Sequence, residues 1–366
     1  MNKKVIIGIV LAVLVGFAIY YFLNKKEIVL KENNPIKIGV MLPLTGDAAS
    51  YGKSLKSGLE LTKNESVKYI FEDTKADPKT AVNIMNKFIS LDKVDAVIGD
   101  MFTHTTMAIN PIASSNNILL LTPTASSSKL TETGKTTFRI YPSEKEEANI
   151  LANFFNDKFQ NNKAAIFVVN EDAMVEVSKI IENSTTNKFS VVEKYSKDIL
   201  DFKPILSKLD KDLQTIFILG YMKESVLLIK QAKELNIKVN FFGLSTLYNP
   251  QFGNLIKGVD NNIFLTAPYF STDSNDSIVK TFISKYYNVN EKEPDVWAGY
   301  GYDAGLIINE INSKAKQNKT TLVEEMYKIE NFNGVTGNVT INSDRSISKK
   351  MDIVEYKHNK FIKIDN

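Results

Sequence analysis

The chain has no cysteine and only two histidines, His104 and His358, in 366 residues. The first absence excludes thiolate catalysis, disulfides, cysteine zinc sites and a lipidated cysteine. The second, with the two histidines far apart and in unlike contexts, argues against a histidine metal centre or a Ser-His-Asp triad. Charge of one sign is also missing: 45 Lys+Arg against 42 Asp+Glu leave a formal +3 with no polybasic run, so nothing in the electrostatics points to nucleic acid. No G-x-x-x-x-G-K-[ST] phosphate loop is present, and no G-x-G-x-x-G follows a predicted strand. What is there, 43% apolar and 24% charged residues, is enough to bury real cores, and the length suits about two domains.

One long apolar run stands at the N-terminus. Val5 to Leu23 carries no charge and as a helix would rise about 28 Å, close to the hydrocarbon thickness of a bilayer. A cleavable signal sequence would end in a small-x-small site, whereas this run ends in Tyr20, Tyr21, Phe22 and Leu23, so residues 1–24 read as a membrane anchor in preference to a signal sequence. Lys3 and Lys4 before it and Lys25 and Lys26 after it give little orienting asymmetry. Residues 25–35 form a polar linker.

From Ile36 onward, short runs rich in Val, Ile and Phe alternate with amphipathic stretches, the pattern of βαβ units around parallel sheets. Strands are predicted at Ile36–Leu42, Val67–Asp73, Val94–Gly99, Ile118–Thr122, Ala164–Asn170, Thr215–Tyr221, Val239–Gly243 and Ile263–Ala267. Helices fit Tyr51–Lys63, Pro78–Leu91 after an Asp77 cap, Glu144–Phe159, Met174–Asn183, Glu224–Leu235, Ser277–Tyr287, Val296–Lys316 and Leu322–Ile329. The tail alternates like antiparallel strands at Gly337–Ile341, Met351–Tyr356 and Lys360–Ile364. So many strands divide into two α/β lobes, and such lobes bind ligands beyond the carboxyl ends of their strands. There the sequence places hydroxyl-rich loops: Pro43–Gly52, Asp100–Thr106 and Thr122–Ser128. Hydroxyls and unpaired N–H groups at helix starts suit a carboxylate. Gly299-Tyr300-Gly301 lies within a predicted helix and reads as close packing. The paired acids Glu146-Glu147 and Glu324-Glu325 read as solvated helix faces, and His104 as polar lining or surface in preference to a catalytic group.

The run IKIGVMLPLTGDAASYGKSLKSGLEL, followed in order by FEDTKADPKTAVNIMNKFI, VDAVIGDMFTHTTMAINPIASSNNILLLTPTASSSKLT, FRIYPSEKEEANILANFF, IFILGYMKESVLLIKQAKELNI, GYDAGLIINEI and GVTGNVTINSDRSISKKMDIVEYKHNKFI, resembles the leucine/isoleucine/valine-binding type of solute-binding protein, the type I periplasmic binding proteins. The resemblance spans about Ile36 to Ile364. It implies two Rossmann-like lobes joined by a three-strand hinge, with residues 36–142 and 271–335 in lobe 1 and residues 143–270 and 336–366 in lobe 2. It also implies a ligand-binding set: Thr103 gripping a ligand carboxylate, Thr124, Ala125 and Ser126 supplying backbone and hydroxyl contacts, Tyr51 beside the first loop, and Tyr221 closing over the ligand from the second lobe.

Two positions depart from the family pattern. Ala173, in Asp172-Ala173-Met174, stands where an aromatic wall is usual, and Ser245 stands where an acid would pair a ligand ammonium. The expected function is therefore an extracytoplasmic receptor, not an enzyme and needing no cofactor or metal. It would capture a branched-chain amino acid or a related amide or carboxylate and deliver it to an ABC-type permease whose ATPase is a separate chain. The alternative is a ligand-sensing or envelope-scaffolding protein of the same fold.

Overall fold

The computed structural model describes residues 34–364 except 47, 187, 249, 260, 261, 269, 271, 273 and 359. The expected anchor 1–24 and most of the linker 25–35 lie outside the described residues. Among those described, no helix is long and apolar enough to cross a membrane.

Fourteen strands are described: β1 (Ile36–Leu42), β2 (Val67–Asp73), β3 (Ala96–Gly99), β4 (Leu119–Thr122), β5 (Thr137–Arg139), β6 (Ala164–Val169), β7 (Val191–Tyr195), β8 (Thr215–Leu219), β9 (Asn240–Gly243), β10 (Ile263–Pro268), β11 (Val339–Ile341), β12 (Ile347–Lys349), β13 (Met351–Lys357) and β14 (Lys360–Lys363). The longer helices are α1 (Ala49–Glu60), α2 (Pro78–Lys87), α3 (Thr103–Ser115), α4 (Glu144–Phe159), α5 (Asp172–Ser184), α6 (Met222–Glu234), α7 (Ser277–Asn290) and α8 (Val296–Asn318), with short helical segments between them.

The first sheet is all parallel, in the order β2-β1-β3-β4-β5. Alternate side chains leave its two faces, and both are covered. Ile36, Ile38, Val40, Ile98 and Leu121 pack with Leu55 and Leu59 of α1 and Tyr300, Ala304 and Ile307 of α8. Met41, Val97 and Leu120 pack with Ala81, Ile84 and Met85 of α2 and Ile109 and Ala113 of α3. In the second sheet, β7-β6-β8-β9-β10 repeats the same parallel order, and β13 and β14 extend it antiparallel beyond β10. In both lobes strand order reverses beside the first strand of the lobe, at β1/β3 and at β6/β8. Such a reversal opens a crevice at the carboxyl ends.

The chain crosses between lobes three times: after β5 at Ile140–Ser143, between β10 and α7, and between β12 and β13. The third crossing falls later than expected. Val339, Ile341 and Ile347 pack into the first core whereas Ile353 and Val354 pack into the second. Residues 336 to about 349, assigned to lobe 2 by resemblance, thus belong with lobe 1, because the hairpin β11-β12 closes that core before the chain crosses.

Helix starts follow local chemistry. Asp77 accepts from Thr80 N at 2.7 Å with Pro78 in the first turn of α2, Ser143 and Glu146 form a reciprocal capping box on α4, and Asp295 accepts from Ala298 N at 2.9 Å on α8. Gly301 and Gly58 let α8 and α1 touch backbone to backbone: a Cβ on Gly301 would overlap the Leu55 carbonyl, and one on Gly58 the Ala298 carbonyl. The close-packing reading of Gly299-Tyr300-Gly301 rests on this contact.

Candidate ligand-binding cleft

Asp100, directly after β3, organises the first lobe's strand ends. Its buried carboxylate accepts from Thr74 Oγ1 at 2.5 Å and from Met101 N and Phe102 N at 2.5 and 3.2 Å. Its carbonyl accepts from Thr122 Oγ1 at 2.7 Å and Thr106 Oγ1 at 3.0 Å. Burial pushes its carboxyl above the usual range, against these hydrogen bonds. Three loops are thereby fixed around the start of α3.

Thr103 is the first residue of α3, which no side chain caps, so the first-turn N–H groups lack that partner. Among the described residues, the Thr103 and Ser126 hydroxyls also have no hydrogen-bond partner. Thr124 and Ala125 brace the loop after β4: Thr124 Oγ1 donates to Met101 O at 2.9 Å and Ala125 N to Thr122 Oγ1 at 3.2 Å. Tyr51 lies on α1, its ring edge-on to Trp297 at 5.6 Å, so α1 and α8 together present an aromatic pair. His104 stacks on Phe102 and bonds the Ala76 carbonyl at 3.0 Å, as suits a polar surface residue.

In the second lobe, Tyr221 precedes α6 at the end of β8, and Ala173 lies in the first turn of α5 beyond β6. These strands are neighbours, and Glu171 ties their ends: Tyr221 Oη donates to Glu171 Oε2 at 2.7 Å, and Lys197 Nζ lies 3.4 Å from Glu171 Oε1 and 4.8 Å from the Tyr221 ring centroid. Burial and the neighbouring carboxylate push the Tyr221 hydroxyl up to about 12.

Ser245, after β9, sits in a polar network at the first crossing. Ser245 N and Oγ donate to Glu147 Oε2 and Oε1, both at 2.9 Å. Thr266 Oγ1 donates to Glu147 Oε2 at 2.6 Å, and Tyr141 Oη donates to Ser245 Oγ at 2.9 Å. One turn earlier on α4, Glu144 Oε1 accepts from Ser128 N and Oγ at 3.3 and 3.4 Å. Helix α4 thus bonds the loop after β4 in one lobe and the loop after β9 in the other, linking the carboxyl ends of both sheets. Thr103, Ser126, Tyr221 and Ser245 belong to those ends.

The expectation of solvated acid pairs fails for Glu147 and Glu325, which are 3% and 1% exposed. Distant partners bury Glu147, and Thr320 and Lys328 hold Glu325 at 2.5 and 2.7 Å. Sequence reasoning also missed Asp100, Glu144 and Tyr141; of these only Asp100 carried a local signal, its place directly after a strand.

The family model described as periplasmic binding protein matches residues 35–360. A leucine-, isoleucine-, valine-, threonine- and alanine-binding protein of Pseudomonas aeruginosa is 24% identical over 343 residues, 89% of this chain and 90% of that protein. The solved structure of a leucine binding protein from Thermotoga maritima superposes with a TM-score of 0.75 at 23% identity, over 90% of this chain and 98% of that one. A solute binding protein from R. palustris, in complex with benzoate, superposes with a TM-score of 0.70 at 19% identity, over 90% of this chain and 95% of that one. The match to the family model over nearly all of the described residues shows that the chain belongs to the periplasmic binding protein family.

Proposed function

We propose that the protein is an extracytoplasmic receptor that captures a small organic carboxylate, such as a branched-chain amino acid, between its lobes and presents it to an ABC-type permease. The observation that carries this reading is the pair of unpartnered hydroxyls, Thr103 and Ser126, beside the uncapped start of α3 at the first lobe's switch point. Half-buried hydroxyls that no protein group occupies, beside a helix N-terminus, suit a carboxylate. The relatives' names agree in that chemistry, since the amino acids of one and the benzoate of the other share a carboxylate. In this reading Tyr221 and Ser245, each just after a second-lobe strand, supply the contacts from that lobe, and a ligand touching both lobes favours the closed form that a permease recognises.

Tyr51, Thr124, Ala125 and Ala173 complete the proposed lining, the last leaving room where an aromatic ring would stand. Residues 1–24 serve as a single-pass anchor with the N-terminus inside, and the polar linker is the tether. Membrane fractionation of the full chain against a chain starting at Lys31 tests that part: both remaining soluble would remove the anchor.

The site is tested by calorimetry with amino acids, their amides and nitrogen-free carboxylates. The double variant Thr103→Ala with Ser126→Ala is expected to bind any carboxylate ligand at least tenfold more weakly, because a hydrogen bond to a charged group contributes about 1.5–3 kcal/mol. Unchanged affinity would remove the proposed carboxylate site. Silence of the parent protein to every compound would favour a sensing or scaffolding role.

A further inference from the structure

Asparagine followed by glycine occurs once in the chain, at Asn333-Gly334. The pair lies ahead of β11 in the first lobe, where Gly337 N donates to Gly334 O at 3.1 Å to close a turn. Asn333 is exposed and lines a cavity of about 460 Å³ together with Asp276, Asn338 and Lys350, so water reaches its amide. That amide has one long contact: Nδ2 donates to Asp276 Oδ2 at 3.5 Å, and Oδ1 has no partner among the described residues. The Gly334 N–H likewise has no acceptor among the described residues. Glycine is required there, because a Cβ would stand 2.6 Å from the buried Asp303 Oδ2.

These are the conditions under which an asparagine modifies itself. A glycine nitrogen, with no side chain beside it, can approach the preceding Cγ that a substituted residue would screen. Gly334 N forms a bond to Asn333 Cγ, the Cγ–Nδ2 bond breaks, and the backbone proton leaves with ammonia. Water then opens the cyclic imide, at Cγ to give aspartate or at the main-chain carbonyl to give isoaspartate. The asparagines placed before serine are protected by contrast. Asn183-Ser184 and Asn312-Ser313 lie within α5 and α8, where the backbone is held in the helix. Asn342, before Ser343, is bonded at both ends of its amide: Nδ2 donates to Ser346 Oγ at 2.9 Å, and Oδ1 accepts from Ser348 Oγ at 3.3 Å.

The place of the pair gives the change a consequence. Asp276 caps α7 directly after the second crossing, its carboxylate accepting from Ile278 N at 3.1 Å. Val335, next in the loop, packs with Val279 and Phe282 of α7 and with Ala298 and Tyr302 of α8. Val335 N and Thr336 N donate to the Asp303 carboxylate on α8 at 2.7 and 2.9 Å. The loop is thus the fastening between α7 and α8. A carboxylate at position 333 replaces a donor facing Asp276 with a like charge, and isoaspartate adds a main-chain carbon to the loop that carries both Asp303 donors. We propose that Asn333-Gly334 is a self-modification site, whose conversion to aspartate or isoaspartate unfastens the start of α7 from the rest of the first lobe.

Warm incubation of the full chain in detergent over a range of pH, followed by peptide mapping with fragmentation that separates aspartate from isoaspartate, reads the conversion. Asn333 is expected to convert about tenfold or more faster than Asn183 and Asn342, at a rate that rises with pH because the attacking Gly334 N must lose its proton. The melting temperature of the ligand-free protein should fall as the converted fraction grows. Asn333→Gln keeps an amide but must close a larger ring, so it should hold its melting temperature through the same incubation. Asp276→Ser keeps a capping side chain and removes the facing charge, so it should lose less for the same converted fraction. Conversion of Asn333 no faster than that of Asn183 and Asn342 would overturn the site. Conversion with an unchanged melting temperature, or an equal fall in Asn333→Gln, would overturn the unfastening.

Discussion

Glu147 has a pKa of about 6 in the folded chain against an ordinary 4.5; burial is the largest cause, and the hydrogen bonds from Thr266 and Ser245 oppose it. Because the folded value lies above the unfolded one, the contribution of this group to stability is fully present below pH 4.5 and is lost as pH rises through 6. The shift corresponds to about 2 kcal/mol. Glu147→Gln removes that dependence, so the variant should gain about 2 kcal/mol relative to the parent between pH 4.5 and pH 7. Melting temperatures of both ligand-free proteins at several pH values in this window check it, and parallel curves would show that Glu147 titrates like an exposed acid. The same residue marks the limit of what the sequence discloses at this scale. Thr103 and Ser126 could be proposed from the sequence because they follow short apolar strands, where an α/β fold opens its crevice. Glu147 is not, since Glu144-Lys145-Glu146-Glu147 has the look of a solvated first turn, and the groups that bury it, Ser245 and Thr266, are 98 and 119 residues away along the chain.

Helices α1 and α8 show how a pair of elements is specified by what is missing from their side chains. Gly58 meets the Ala298 backbone, Gly301 the Leu55 backbone, and Gly305 the Thr62 side chain. Gly301→Ala should therefore force the two helices apart, because a backbone carbonyl cannot swing aside as a side chain can. Overpacking of this kind costs about 1–3 kcal/mol. Urea unfolding should show a lower midpoint with an unchanged slope, and an unaltered midpoint would mean that the helices are less closely packed than described. Among the elements, the strands at Ile36–Leu42 and Val67–Asp73 and the helix Glu144–Phe159 were readable to the residue from periodicity and capping. Helix α3 was not: Pro111 interrupts its pattern, and no side chain caps its start. The edge strand β7 alternates between half-buried and exposed positions as a surface loop might, and β5 is only three residues long. A proline, a missing cap, short length and an exposed edge, not weak packing, hid these elements.

At the scale of the molecule, each lobe has its own sheet and its own apolar core, and the chain joins them at three crossings. Lobes with separate cores can turn about such crossings without disturbing either interior, so the closed form must gain its stability from what lies between them. If the ligand bonded only to the first lobe, it would bind the open and closed forms equally and shift nothing, however tightly it bound. The second lobe's contribution is therefore what would close the receptor, and Tyr221, bonded to Glu171 with Lys197 over its ring, is the group proposed to make it. Tyr221→Ala should thus differ in kind from Thr103→Ala with Ser126→Ala. The latter loses the carboxylate site and with it most binding. The former should keep weak binding through the first lobe yet lose the closure that normally follows. Small-angle scattering with and without saturating leucine reads this directly: the radius of gyration of the parent should fall, and that of Tyr221→Ala should stay near its ligand-free value once its site is filled. If Tyr221→Ala contracts as fully as the parent at saturation, closure draws its free energy from Ser245 and the crossings, and the tyrosine serves affinity alone.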